Sequence, residues 1–251
     1  MTQGASELTS ASRSYLDQVE GLLAAAVIGS ESVIAEAGTL IADRFDRDGI
    51  LFVFGSGHSH VFAEEAFYRA GGAARISPIL QPEYMLHLNA RRSTELERES
   101  GLAADLLDRY PISPKADVLL VVSNSGANAL PVEVASTARE RGIPVIAITS
   151  VAYATASLSS GARLHQVADI VLDNQCPPGD ALVRLRDDLP KVGPGSSVVG
   201  LALLNAIIVE ALARQVSRGH TPDIYLSAGM PDAAQHNTET ADRFSQRIPH
   251  L

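Results

Sequence analysis

Short, mostly β-branched apolar runs recur along this chain, each separated from the next by a stretch able to form a helix, and that alternation restricts the fold more than any other feature. The runs are Ile50–Phe54, Arg75–Leu80, Asp117–Val122, Ile143–Ile148 and Asp169–Leu172. Continuous apolarity over so few residues marks strands buried on both faces. Between them lie His58–Ala70, Thr94–Tyr110, Asn128–Arg141 and Ala152–Ser159, all with helical spacing. Parallel neighbours need a crossover that returns the chain to the same edge, and helices supply it. The expectation is an α/β fold: a three-layer αβα sandwich on a five-stranded parallel sheet, with the flavodoxin-like order 2-1-3-4-5.

The flanks extend this frame. Leu8–Ile28 and Ser32–Phe45 read as two opening helices, with Ser30 or Ser32 as N-cap and Glu31 and Glu36 suiting an early turn. After the last run comes a Pro- and Gly-rich loop, Cys176–Gly195, and then a long apolar helix, Ser196–Ser217, whose apolarity on more than one side calls for an oligomer interface. The expected division is a helical extension over 1–30, the main domain over 31–214 and a tail over 215–251. With 46% hydrophobic residues in 251, the chain has material for one substantial core. Its 20 Lys and Arg against 29 Asp and Glu leave a net charge of −9, which argues against nucleic acid and anionic membrane as partners. The lone Cys176 makes no internal disulfide, the first residues lack a secretory pattern, and Val198–Ala213 is broken by Asn205 and Glu210. A cytoplasmic location is expected.

Chemistry concentrates at two strand ends. The first strand runs into Gly55-Ser56-Gly57-His58-Ser59-His60 and the third into Ser123-Asn124-Ser125-Gly126. In the order 2-1-3-4-5 these strands are neighbours at the point where the chain reverses direction, so both turns should face one crevice. An oxyanion there would meet the hydroxyls of Ser56, Ser59, Ser123 and Ser125, the backbone N–H groups of Gly57 and Gly126, and two helix N-termini. Nucleotide motifs fit poorly: the first turn lacks the Walker lysine, and His60 stands where a Rossmann fingerprint needs its third glycine. No cofactor is expected.

With these two turns set in alternating strands and helices, the chain resembles the sugar isomerase (SIS) domain family over about Glu31–Arg214. It is similar above all to stand-alone bacterial phosphosugar-binding members; His58–Glu65, Ser227-Ala228 and His236-Asn237 carry that likeness. The resemblance implies a dimer or tetramer whose sites include residues of a neighbouring subunit, and a sugar phosphate held by its phosphate on the serine loops. Asn128 stands near a place where several relatives carry a further phosphate-binding Ser or Thr. Glu65 occupies a place where the sedoheptulose-phosphate isomerases, with a similar Phe-Ala-Glu-Glu run, keep a catalytic glutamate.

Aldose–ketose isomerisation needs a base between C1 and C2 and an acid that opens the ring. Glu65 is the expected base, with His58 and His60 assisting ring opening; the competing reading pairs Glu65 with Arg69 one turn on. His58, His60 and Glu64 also form a metal half-site, but no second His pair follows at ligand spacing, so no metal is expected. Glu210, on an apolar helix, needs a partner, and an ion pair at the subunit interface would give one. Gln81–Ser100 reads as a long irregular connection with a Thr94-x-x-Glu97 capping box and two arginines, Arg91 and Arg92, which together with Lys191 are placed to touch a sugar phosphate or to remain solvated. Three functions follow: a phosphosugar isomerase, a non-catalytic phosphosugar sensor, or a lyase resembling the muramic-acid-phosphate etherases, whose glutamate signature is not found here.

Overall fold

A computed structural model describes residues 9–251; Leu8, the expected start of the first helix, lies outside them. Helix α1 spans Ser10–Phe45 and is capped by the Thr9 hydroxyl, which accepts the Ser12 N–H. It is followed by β1 (Leu51–Gly55), a 3₁₀ turn (Gly57–His60) that leads into α2 (Val61–Ala66), and β2 (Ile76–Ile79). Next come α3 (Leu86–Leu96), α4 (Ala103–Asp108), β3 (Val118–Val122), α5 (Ala129–Glu140) and β4 (Val145–Thr149). Short α6 (Val151–Ala156) and α7 (Leu164–Val167) precede β5 (Ile170–Asp173), and a hairpin of β6 (Ala181–Val183) and β7 (Val192–Pro194) precedes α8 (Ser196–Ser217) and α9 (Ala233–Phe244).

The sheet order is β2-β1-β3-β4-β5, all parallel, as expected. Alternate strand residues feed two cores. Phe52, Phe54, Leu119 and Val121 pack with α4, α5 and Phe244 on one face, while Leu51, Val53, Leu120 and Ile146 pack with α1, α2 and α8 on the other. The register pairs Gly55 with Val122, so the turns after β1 and β3 leave the sheet side by side.

Several boundaries differ from expectation. The two opening helices are one, unbroken through Ser30 and across the expected domain limit at residue 30, and neither Ser30 nor Ser32 is a cap. Burial explains it: Ser30 is buried, Ala26, Ala37 and Ile41 share a core with α8, and a side chain at Gly38 would collide with Glu210. Glu210 itself meets Arg214 one turn on at 2.7 Å, so its partner is intrahelical. The expected irregular connection holds α3, bent at Asn89, and the Pro/Gly-rich loop holds the β6–β7 hairpin. The C-terminal tail, 215–251, carries α9 and packs onto the domain. Phe244 and Ile248 are buried in the core, and Arg247 reaches the buried carboxylate of Asp117. At the C-terminal end of α8, Asp46 accepts hydrogen bonds from Gln215, Arg218 and His220; burial pushes its carboxyl pKa up, but these bonds outweigh it and hold the pKa below the usual value.

Candidate functional site

The turn after β3 is built to receive an anion. Gly126 takes the left-handed region at φ +55°, and its N–H bonds both the carbonyl and, at 3.2 Å, the hydroxyl of Ser123. A side chain at Gly126 would come within 2.6 Å of Thr149 Oγ1, so glycine alone fits. Asn128 is the N-cap of α5, yet its side chain does not cap the helix. Pro131 removes one first-turn donor and Leu130 N–H is taken by the Glu97 carbonyl at 3.1 Å. Among the described residues, the N–H groups of Ser125, Asn128 and Ala129 meet no acceptor, nor does the Ser125 hydroxyl. These are the donors a helix N-terminus offers an oxyanion.

Both turns contribute to a common cavity, the smaller of two, while the turn after β3 also lines the larger one. Ser125, Asn128 and Ala129 form one wall of a cavity of about 690 Å³, with Arg98 and Tyr153 on the others. Its far rim, around Ser157–Ala162, is pinned by the Arg163 guanidinium, which donates to the carbonyls of Ala154, Ser157 and Ser159 at 2.7, 3.1 and 2.6 Å. The second cavity, about 240 Å³, is lined by His58, Ser59, Asn124, Asn174, Asp180 and Ser196, among others. Asn174 donates to Asn124 at 2.9 Å, while Asp180 is consumed by the start of α8, accepting the N–H groups of Gly195 and Ser196 and the Ser196 hydroxyl. Ser56 and Ser123 are almost fully buried, at 3% and 5% exposure, and line neither cavity.

What joins the turns is a residue read in the sequence as part of a capping box. Thr94 lies inside α3 and back-bonds to Ala90, whereas Glu97, just past the helix end, turns its carboxylate toward the sheet. Glu97 Oε1 accepts from Ser56 Oγ at 3.2 Å and from Asn128 Nδ2 at 3.3 Å. Gly57, at φ +56°, lies so close that a side chain there would be 3.0 Å from Glu97 Oε2.

The remaining residues singled out from the sequence divide sharply. His58 is exposed at the mouth of the smaller cavity. His60 Nδ1 lies 2.6 Å from the Gly57 carbonyl, which fixes that nitrogen as the donor, and Nε2 lies 3.4 Å from Glu64. Its role here is to hold the turn. Glu65 lines neither cavity: its carboxylate contacts Arg69 and accepts from Asn205 of α8 at 3.3 Å, the local pairing foreseen as the alternative. Arg92 pairs with Glu95 and Glu99. His220 bonds Asp46, and His236 bonds the Ile224 carbonyl, so neither reaches the cavities.

Comparison with known proteins places the fold. Residues 14–150 match the model of the SIS domain. The UPF0309 protein of Brucella anthropi is 46% identical over 218 residues, 87% of this chain and 89% of that protein, and a UPF0309 protein of Brucella suis is 46% identical over 216 residues, 86% of this chain and 88% of that one. Among solved structures, the phosphoheptose isomerase of Neisseria gonorrhoeae superposes with a TM-score of 0.54 at 16% identity, over 80% of this chain and 97% of that chain, a likeness of fold.

Proposed function

Because the chain belongs to the SIS-domain family, we propose that it binds a sugar phosphate by its phosphate and isomerises it by proton transfer, in the aldose–ketose sense. The observation that carries the reading is the turn after β3, whose free N–H groups and Ser125 hydroxyl converge at the N-terminus of α5 beside a cavity of about 690 Å³. The smaller cavity, in which Ser59, Asn124 and Asn174 stand among Phe62, Val122 and Pro194, offers a few polar groups on an apolar wall, which suits a sugar's hydroxyls and ring carbons. Phosphoryl transfer fits less well, since the two turns hold neither a lysine nor an arginine to clamp a moving phosphoryl group. Phosphate is the handle, and its binding energy orients the sugar carbons.

His58 is the proposed proton carrier in place of Glu65. It lines the smaller cavity and its ring has no hydrogen-bond or charge partner among the described residues, whereas the Glu65 carboxylate is committed to Arg69 and Asn205. Thermal-shift screening against a panel of sugar phosphates, followed by NMR of solvent deuterium at C1 and C2, tests the reading. We expect His58→Asn to keep binding but lose on the order of a hundredfold or more in exchange, and Glu65→Gln to stay within a few-fold of wild type. The engaged carboxylates, Glu65, Glu97 and Asp180, favour a second reading, a non-catalytic sensor. Wild-type protein that binds a sugar phosphate yet never exchanges a C–H proton establishes that reading and removes the isomerase.

The proposed assembly is a homo-oligomer through the outer face of α8. Val198, Leu201, Val209, Leu212 and Val216 repeat every three or four residues, or twice that, with Asn205 in the remaining place, and Val209 and Val216 are 64% and 60% exposed. No charged residue occurs between Val198 and Val209. A second copy is the occupant this stripe fits, because a two-fold pairing lays it on itself with Asn205 near the middle. Each aliphatic side chain covered contributes about 1.5 to 3 kcal/mol. Light scattering is expected to give a mass of at least two chains for wild type and one chain for a folded Val209→Lys; a folded wild-type monomer at micromolar concentration removes the proposal.

A further inference from the structure

We propose that Asn124 is the donor that meets the negative charge developing on the sugar's carbonyl oxygen during proton transfer, and that Asn174 is the residue that positions it. The inference rests on the isomerase reading above. Asn124, in the turn after β3, and Asn174, just past β5, both line the smaller cavity together with His58. One backbone group fixes the orientation of both amides, because the Cys176 N–H only donates. It meets Asn174 Oδ1 at 3.0 Å, so the other end of that amide is Nδ2, which donates to Asn124 at 2.9 Å. The accepting atom of Asn124 is therefore Oδ1. That leaves Asn124 Nδ2 as the unengaged end, with no acceptor among the described residues. The backbone holds this relay in place. The Asn124 carbonyl accepts the Ser150 N–H at 3.1 Å, the Ser150 hydroxyl donates to the Cys176 carbonyl at 2.6 Å, and the Asn174 N–H donates to the Thr149 carbonyl at 3.0 Å. Gln175, at φ +58°, turns the Cys176 N–H back onto Asn174. The ends of β3, β4 and β5 are thus closed into one ring of bonds, in which Asn174 is 2% exposed and Cys176 0%.

The chemistry needs such a donor. Neither a lysine nor an arginine lines this cavity, and the hydroxyls of Ser59 and Ser197 rotate and accept as readily as they donate. When His58 takes the proton from C2 of an open-chain aldose, the C–H electron pair forms C1=C2 and the carbonyl π pair moves onto O1. The enediolate oxygen O1 then carries the charge, opposite Asn124 Nδ2. Return of the proton to C1 uses the C1=C2 pair, the O2–H electrons make the new carbonyl at C2, and the O2 proton passes to O1. A donor oriented before the charge appears needs no rearrangement when it does.

Exchange of the C2 proton with deuterated water is followed by NMR for glucose 6-phosphate, mannose 6-phosphate, ribose 5-phosphate and arabinose 5-phosphate. Glucitol 6-phosphate and ribitol 5-phosphate, which keep phosphate and hydroxyls but have no carbonyl, are titrated as binding probes. Wild type, Asn124→Ala, Asn124→Asp, Asn174→Ala and the double alanine variant are compared. Asn124→Ala is expected to lower the exchange kcat by about a hundredfold or more, and Asn174→Ala, which frees the amide to rotate, by about tenfold to a hundredfold. KM and the affinity for the two alditol phosphates should stay within a few-fold of wild type in both. The double variant should be no slower than Asn124→Ala, since Asn174 acts only through Asn124; mere loosening of the fold would multiply the two losses. Asn124→Asp keeps the side chain's shape and removes the donor, so an unfolded alanine variant does not obscure the result. A folded Asn124 variant with wild-type kcat, or losses that multiply in the double variant, overturns the inference and leaves the isomerase reading standing. Wild type that exchanges no aldose phosphate of the wider panel overturns that reading, and the inference with it.

Discussion

Arg247→Ala should cost about 3 to 5 kcal/mol of stability, a large share of the roughly 5 to 15 kcal/mol that holds a typical domain. Asp117, at the start of β3, is 0% exposed. Its oxygens accept the Ile50 N–H at 2.8 Å and the Ser113 N–H at 2.6 Å, and the Arg247 guanidinium reaches both oxygens at 2.8 and 2.7 Å. The carboxylate therefore ties together the entry to β1, the loop before β3 and the C-terminal segment. Removing Arg247 leaves a buried charge with backbone donors and no counter-ion, which is more costly than never having had the pair. At roughly 2 to 4 °C per kcal/mol for a chain of this size, the melting temperature should fall by about 6 to 20 °C. Asp117→Asn combined with Arg247→Ala should recover part of the loss, because no charge is then stranded. A loss below about 1 kcal/mol in Arg247→Ala by urea denaturation would show that water replaces the guanidinium and that the C-terminal segment is not part of the cooperative unit.

The strands were legible because burial on both faces leaves a mark that needs no tertiary information: Val118–Val122 and Val145–Thr149 are apolar at nearly every position, and no other environment asks for that. Their order comes from the doubly wound pattern, and the small hydroxyl residues after the first and third strands then fall at its reversal point. Helix continuity was not legible. Gly29-Ser30 imitates a helix stop and a fresh cap, yet packing of Ala26, Ala37 and Ile41 in one core with α8 overrides local preference. Glu97 was misread for a related reason. A Thr-x-x-Glu spacing describes a local bond, whereas its real partners, Ser56 and Asn128, lie 41 and 31 residues away in the chain. Only the fold brings a carboxylate to those donors, and no spacing rule announces it. Glu65 shows the converse, because Arg69 stands four residues on and the pairing was already visible in the sequence.

Ser125→Ala should weaken sugar-phosphate binding by roughly tenfold to a hundredfold, the value of one hydrogen bond to a charged group of about 1.5 to 3 kcal/mol. Ser125 is the informative serine of the four. Ser56 donates to Glu97, and Ser123 accepts the Gly126 N–H that shapes the turn, so alanine at either place also disturbs the empty protein. Ser59 opens on the smaller cavity, away from the α5 N-terminus. The Ser125 hydroxyl has no partner among the described residues and faces the larger cavity beside Asn128, so its removal should leave the melting temperature of the free protein nearly unchanged. Adding Asn128→Ala removes a second side-chain donor, and the pair should bring the loss toward a thousandfold, less whatever Glu97 gains by losing its own partner there. The two effects on Asn128 oppose one another, so its single variant should weaken binding less than Ser125→Ala does. Unchanged affinity in a well-folded Ser125→Ala would move the phosphate away from the α5 N-terminus and toward Ser59 and His58, exchanging the roles of the two cavities.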